Sequence, residues 1–363
     1  MQEPQLGRVA HIPAWNDAYQ QHLMAGLRGH GVDATLAFGV ARFGIDLTIV
    51  AGLIRGSIRE ALHLHWQHPY LVRRTLIGSA LSACFFLVQL LLARVAGVRI
   101  VWTIHNLKNH ENNFRGLERL ACWFVARLAH RIVVHCERAR EQAEVWLGRP
   151  HAEKLVVIPH GGFADLKQGS PERAEARRAL GIKASTFVFL HLGLVRRYKG
   201  LEDLLDAFRS VSGDDVSLIL AGKCRDPGLE ADLGVKSKGL MVVRVPEYVA
   251  PSNVQQLMAA ADVVVCPYRD ILTSGGVVAA MSFGKPVVAP ALGCIPEVLT
   301  SDGGFLYCPE RVDGLEMALR MALDCTQDDL EARGQINHDI CEDLDWVSIA
   351  DHTVPLYGFR SHD

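Results

Sequence analysis

At 363 residues, 49% of them hydrophobic, the chain is too long for one ordinary core and suits two domains. A formal charge of −2 excludes a general nucleic-acid binder. The nine cysteines, Cys84, Cys122, Cys136, Cys224, Cys266, Cys294, Cys308, Cys325 and Cys341, are odd in number and never form C-x-x-C, which excludes a disulfide framework and a cysteine zinc site. They read as reduced thiols of a cytosolic protein. The first residues, MQEPQLGRVAHIPAW, hold no basic-then-apolar leader, so export is not expected.

Gly7 to Pro13 reads as a strand, Tyr19 to His30 as a helix stopped by Gly31, and Val32 to Phe38 as a second extended run. Together they open a βαβ unit. The turn Pro13-Ala14-Trp15-Asn16-Asp17 lacks Gly-x-Gly-x-x-Gly, so the usual dinucleotide fingerprint is absent here. Asn16 or Asp17 caps the helix or faces a bound sugar.

HLHWQHPY at 63–70 is a strand end carrying His63, His65, His68 and Trp66. Alternation points His63 and His65 the same way and leaves His68 beyond the strand, with no acidic residue nearby in sequence, so a pocket wall for a hydroxyl-rich ligand is favoured over a metal site. Residues 75–93, TLIGSALSACFFLVQLLLA, hold no charge and are bracketed by Arg73, Arg74, Arg94 and Arg99. A buried core helix, a bilayer span and an in-plane membrane helix compete for this stretch. Its few polar residues and flanking arginines favour the in-plane reading, in contact with an anionic lipid surface through 73–99, with Phe85, Phe86 and Leu87 as the apolar contacts.

RIVWTIHN at 99–106 is an apolar strand with His105 at its carboxyl end, where a reacting group or a structural histidine would sit. His110 and Glu111 follow in a polar loop. Further αβ alternation through Ile158 predicts a largely parallel sheet. The composition turns charged and helical from Phe163 to Ser185, and a second core begins near Thr186. There FVFLHLGLVRRYKGLEDLLDAFRSV reads as strand, cationic turn and amphipathic helix, with Arg196, Arg197 and Lys199 between Gly193 and Gly200. Such a turn suits a phosphate or diphosphate, although it also fits a solvated basic loop.

The runs GLVRRYKGLEDLLDAF, ILAGK, VPEYVAPSNVQQLMAAADVVVCPYRD and TSGGVVAAMSFGKPVVAPALGCIPEVL, in this order, resemble the second domain of GT-B fold glycosyltransferases, family 4 in particular. HIPAWNDAYQQHL, HLHWQHP, VWTIHN and VIPHG resemble the first domain more loosely. The resemblance implies an α/β fold of two Rossmann-like domains with parallel sheets facing across a cleft. An acceptor-binding domain is expected over 1–165 and a nucleotide-sugar domain over 166–340, with a final helix over 341–363 crossing back. It also implies a UDP- or GDP-linked sugar donor and a saccharide or lipid-linked acceptor, with no metal and no cofactor beyond the donor itself.

By that resemblance Arg196 and Lys199 would stabilise the leaving diphosphate. Ser274, Gly275 and Gly276 would hold it from a helix N-terminus, and Glu247, Tyr248 and Val249 would meet the nucleobase. Asn16, Asp17, His65, Trp66, His110 and Glu111 would face the acceptor. The family's pair of glutamates falls here on Ile271 and Ala279, leaving Asp270 as a neighbouring substitute. Retention of configuration is implied. Inversion would call on His105, His110, Glu111 or Asp17 as base. A sugar-nucleotide epimerase and a catalytically silent nucleotide-sugar binder are the alternatives, and the expected location is the cytosolic face of the cell membrane.

Overall fold

The computed structural model describes residues 6–39, 41–42, 45–109, 114–167 and 169–359. The chain divides into two compact units, Met1–Gly161 with Leu344–Asp363, and Gly162–Asp343.

The first unit holds β1 (Gly7–Ile12), β2 (Val32–Leu36), β5 (Ala61–Leu64), β6 (Arg99–Thr103), β7 (Arg131–Val134) and β8 (Leu155–Val157), with a small antiparallel pair of β3 (Ala41–Arg42) and β4 (Ile45–Asp46). Its six-stranded sheet runs β2-β1-β5-β6-β7-β8, every pair parallel. These strands read as near-continuous apolar runs because helices cover both faces of such a sheet. The order reverses beside β1: the chain goes outward to β2, then returns to β5 on the other side. In open α/β sheets the crevice at such a reversal, beyond the carboxyl ends of the strands, is where ligands bind. The last helix, Trp346–Thr353, packs against the Ala18–Gly29 helix, and Tyr357 reaches the sheet, its hydroxyl 2.8 Å from His63 Nδ1.

The second unit repeats the plan with β9 (Phe187–Leu192), β10 (Val216–Ala221), β11 (Val242–Val245), β12 (Val263–Val265), β13 (Val287–Pro290) and β14 (Gly304–Tyr307). The order is β11-β10-β9-β12-β13-β14, all parallel, so its reversal lies between β9 and β12. The Leu201–Arg209 helix turns Leu201, Leu204, Leu205 and Phe208 into the core against Phe189, Leu218 and Val263. A buried ion pair anchors the entry to β12. Arg177 Nη2 donates to Asp262 Oδ2 at 2.6 Å, the same oxygen accepts from Val188 N at 2.7 Å, and the remaining guanidinium nitrogens reach the carbonyls of Ala184, Thr186 and Ala260.

The uncharged stretch of the first unit forms a helix, Leu76–Val95, capped by Thr75, with its few polar side chains turned inward among buried apolar ones. Ser79, Ala83, Phe86, Gln89, Leu90 and Ala93 are buried, while Leu76, Ile77, Leu81, Phe85, Val88, Leu91, Leu92 and Val95 are exposed. Ser82 Oγ donates to Tyr70 O at 2.8 Å and Gln89 Nε2 to Asp46 O at 2.8 Å. The polar side chains therefore serve backbone carbonyls, and the outer face is left apolar. Phe86, expected among the membrane contacts, is instead core: it stacks on Tyr70 with centroids 4.6 Å apart. Arg94 and Arg99 each commit a nitrogen to a carbonyl, of Leu128 and Leu356, whereas Arg74 is exposed.

Candidate functional site

At the reversal point of the second unit, the turn after β9 meets the loop after β12. Arg269 N donates to Tyr198 O at 2.8 Å. A Cβ on Gly200, whose φ is +70°, would lie 2.0 Å from Pro267 O, so only glycine lets these backbones touch. This contact sets Lys199 over Tyr268, with Nζ 4.1 Å from the ring centroid. Burial first, and then repulsion from Arg196, lowers the Lys199 ammonium to about 8.

Tyr268, itself buried, continues to the next element. Its hydroxyl accepts from Ser274 Oγ at 3.1 Å, and Ser274 Oγ accepts from Val277 N at 3.1 Å, capping the Gly275–Ser282 helix. A Cβ on Gly276 would stand 2.8 Å from the Tyr268 hydroxyl, which accounts for the second glycine of Ser-Gly-Gly. A cation and a helix N-terminus thus flank one aromatic ring, and both elements favour a phosphate. Beneath them His191, buried at the end of β9, donates from Nδ1 to Val265 O at 3.0 Å. Burial and the neighbouring Lys199 lower it to about 4.

The three arginines differ. Arg197 is exposed and engaged with Asp226 at 3.0 Å and Glu202 at 3.5 Å, and Arg269 holds Asp203 through Nε and Nη2 at 2.5 and 2.6 Å. Arg196 is half-buried in the turn itself. Glu247, Tyr248 and Val249 follow the edge strand β11, two strands from β9, with Glu247 and Tyr248 exposed. Asp270 is half-buried directly after Arg269, Ile271 is buried, and Ala279 lies within the Gly275–Ser282 helix.

In the first unit, four strands end in histidines: His65 after β5, His105 after β6, His135 after β7, and His160 after β8. All converge on Tyr19, whose ring meets them edge-on with centroids 5.7, 4.7, 5.5 and 5.0 Å away. His11 and His63 lie beneath, side by side in the β1/β5 register. Burial holds these imidazoles neutral: His11 and His135 fall to about 3, His160 to about 4, and His63, His65 and His105 well below the ordinary value.

Ring nitrogens of His11, His63 and His65 lie within 4.8 Å of one another, and all but His11 Nε2, which is buried without a partner among the described residues, are engaged in hydrogen bonds. His63 bonds to Tyr357 and, at 2.7 Å, to Thr103 Oγ1, while His11 Nδ1 faces His65 Nε2 at 2.9 Å. His68 pairs instead with Glu118 at 2.7 Å, an acidic partner supplied from a distant helix.

Toward solvent, Trp66 stacks on His105 with centroids 4.4 Å apart, and Trp15 stacks on Trp66 at 4.9 Å. Asn16 adopts a left-handed φ of 54°, a conformation asparagine tolerates. Asp17 Oδ1 accepts from Gln20 N at 3.1 Å, while Oδ2 is buried with no hydrogen-bond partner among the described residues. Burial raises this carboxyl against the pull of its backbone N–H partners. Sequence reasoning missed Trp15, Tyr19, His11, His135, His160 and Tyr268 as members of these clusters. The strand-end positions of His135 and His160 were the available signal. His110 and Glu111 lie outside the described residues.

Residues 186–325 match a protein-family model described as glycosyl transferases group 1. A GDP-mannose:glycolipid 4-beta-D-mannosyltransferase of Xanthomonas campestris is 29% identical over 248 residues. That match covers 64% of this chain and 64% of the relative, less than two thirds of its length. Among solved structures, a sucrose-phosphate synthase of Thermosynechococcus elongatus superposes with a TM-score of 0.78 at 17% identity, covering 97% of this chain and 98% of that one. HepE of Anabaena in complex with UDP-glucose superposes with 0.75 at 18% identity, covering 97% and 99%. The chain has the GT-B fold, and the group 1 glycosyl transferase match lies entirely within its second unit.

Proposed function

We propose that this GT-B chain transfers a sugar from a UDP- or GDP-linked donor to a saccharide or lipid-linked acceptor. The observation that carries the reading is the meeting of Lys199 and the Ser274-capped helix N-terminus on one ring, Tyr268, the first over its face and the second at its hydroxyl, at the carboxyl ends of neighbouring strands. The named donors of a relative and of a structural neighbour, GDP-mannose and UDP-glucose, support the same donor class.

As the bond from sugar carbon to phosphate oxygen lengthens, negative charge grows on the leaving diphosphate. Lys199, Arg196 and the N–H groups of Gly275 and Gly276 supply positive potential for that charge, so the chemistry needs no metal. Glu247, Tyr248 and Val249 are assigned to the base of the donor. The Trp15–Trp66 stack offers an aromatic surface to the acceptor, with Asn16, Asp17, His65 and His105 around it.

Retention fits the neutral, weakly basic His105: the leaving phosphate itself can take the acceptor proton. A second reading, inversion, is favoured by one feature. Asp17 has an unpaired buried Oδ2 and a raised pKa, which make it a better proton acceptor than an ordinary carboxylate. From an α-linked donor, the β linkage in the relative's name would require inversion.

The outer face of the Leu76–Val95 helix supports an in-plane seat on an anionic membrane, where a lipid-linked acceptor would be found. The reduced cysteines fit the cytosolic side.

The test is a panel of labelled sugar nucleotides with and without a lipid-linked saccharide, with the product's anomeric configuration read by NMR. Acceptor-dependent product supports transfer. Acceptor-independent change of the donor sugar would show an epimerase, and donor binding without product would show a silent binder.

A further inference from the structure

We propose that Tyr268 is a positioning residue that makes Lys199 and the amino end of the Gly275–Ser282 helix act as one diphosphate grip. This inference rests on the nucleotide-sugar reading and adds to it a residue with no charge and no contact requirement of its own.

The Lys199 side chain rises from a turn whose backbone is fixed to the loop carrying Tyr268, through Arg269 N to Tyr198 O and through the Gly200–Pro267 contact. Its ammonium sits 4.1 Å from the Tyr268 centroid and 5.3 Å from that of Tyr198, so two ring faces steady a flexible four-carbon chain that would otherwise sample many rotamers. At the edge of the same ring, the hydroxyl accepts from Ser274 Oγ, the atom that caps the helix. Because the ring is 2% exposed, it has no freedom to move one end without the other. A shift of the helix cap is therefore transmitted to the floor under Lys199.

Two substitutions separate the parts. Tyr268→Phe keeps the ring under Lys199 and removes the hydroxyl from Ser274. Tyr268→Leu removes both. Calorimetric titration of the full chain with UDP, GDP, uridine and guanosine reads the outcome. Wild type should bind one diphosphate more tightly than its nucleoside. Tyr268→Phe should weaken that diphosphate by ~3- to 10-fold and Tyr268→Leu by ~10- to 50-fold, with nucleoside affinity unchanged.

In a Lys199→Ala background, Tyr268→Leu should cost no more than ~3-fold beyond the loss already caused by Lys199→Ala, because residues acting as a unit are not additive. Removing the ring also returns water to the ammonium, so the alkaline limb of diphosphate binding should move to higher pH in Tyr268→Leu and stay in place in Tyr268→Phe.

Wild type without a diphosphate preference would overturn the nucleotide-sugar reading, and this proposal with it. A wild-type preference that survives in both Tyr268 variants, equal weakening of nucleoside and diphosphate, or full additivity with Lys199→Ala would overturn the positioning role alone.

Discussion

Trp15 lies stacked on Trp66, centroids 4.9 Å apart with 25° between planes, and is itself 53% exposed. Trp66 in turn stacks on His105, so the loop after β1 and the loop after β5 present a ladder of rings whose outer face is open to solvent. Pyranose rings pack their C–H faces on such surfaces. Removing one stacked ring costs about 1 kcal/mol beyond area burial. Trp15→Ala should therefore raise the acceptor KM by ~5- to 10-fold while leaving donor affinity and melting temperature unchanged. Initial rates at varied acceptor concentration check it, and an unchanged KM would remove Trp15 from the acceptor surface.

Replacing Ile77, Leu81 and Phe85 by serine should release the protein from vesicles containing anionic lipid without lowering its melting temperature, because these side chains face solvent in the folded chain. Phe86→Ser should unfold it, since Phe86 packs on Tyr70; loss of a buried aromatic costs ~3–5 kcal/mol. Vesicle co-sedimentation alongside thermal unfolding separates the two effects. Equal vesicle binding by the triple variant and wild type would refute the membrane seat.

The parallel αβ alternation was legible because apolar runs of strand length recur between helical patterns. The family resemblance and their place after predicted strands marked Lys199, Ser274 and Gly276 as candidate phosphate contacts, and the structure brings all three to Tyr268. Tyr268 was not. Nothing in CPYRD says that the ring lies under a lysine from another turn, a relation created only by the β9/β12 pairing. The histidine row failed for the same reason: His65, His105, His135 and His160 come from four separate segments, and each alone reads as structural. In the Leu76–Val95 helix, composition revealed the apolar excess but not its direction. Ser82 and Gln89 face inward because carbonyls of Tyr70 and Asp46 need donors.

Arg177→Ala should destabilise the chain by ~3–5 kcal/mol, since it strands the buried Asp262 carboxylate without its partner. Arg173, which meets Asp262 from a 42%-exposed position, should cost no more than ~1 kcal/mol on the same substitution. Urea unfolding of both variants tests the contrast, and equal losses would show that burial of the pair is not what matters.

The proposed phosphate grip needs Lys199 as the cation, and burial, followed by Arg196, lowers its pKa to about 8. Diphosphate affinity should therefore be full below about 8 and decline as the pH rises through it, while Lys199→Arg, which stays charged, should show no such decline over that range. Titrations between neutral pH and ~10 decide the point. A flat wild-type profile would mean that this ammonium does not contact the ligand.

The most direct measurement is acceptor-dependent release of nucleoside diphosphate from a labelled UDP- or GDP-sugar, comparing wild type with Lys199→Ala. A charge-assisted contact to phosphate contributes ~1.5–3 kcal/mol, and here it strengthens as the glycosidic bond breaks. The expected result is transfer only when acceptor is present, with kcat lowered ~10- to 150-fold by Lys199→Ala. Transfer at the wild-type rate by Lys199→Ala, or no acceptor-dependent release from any donor of the panel, would contradict it.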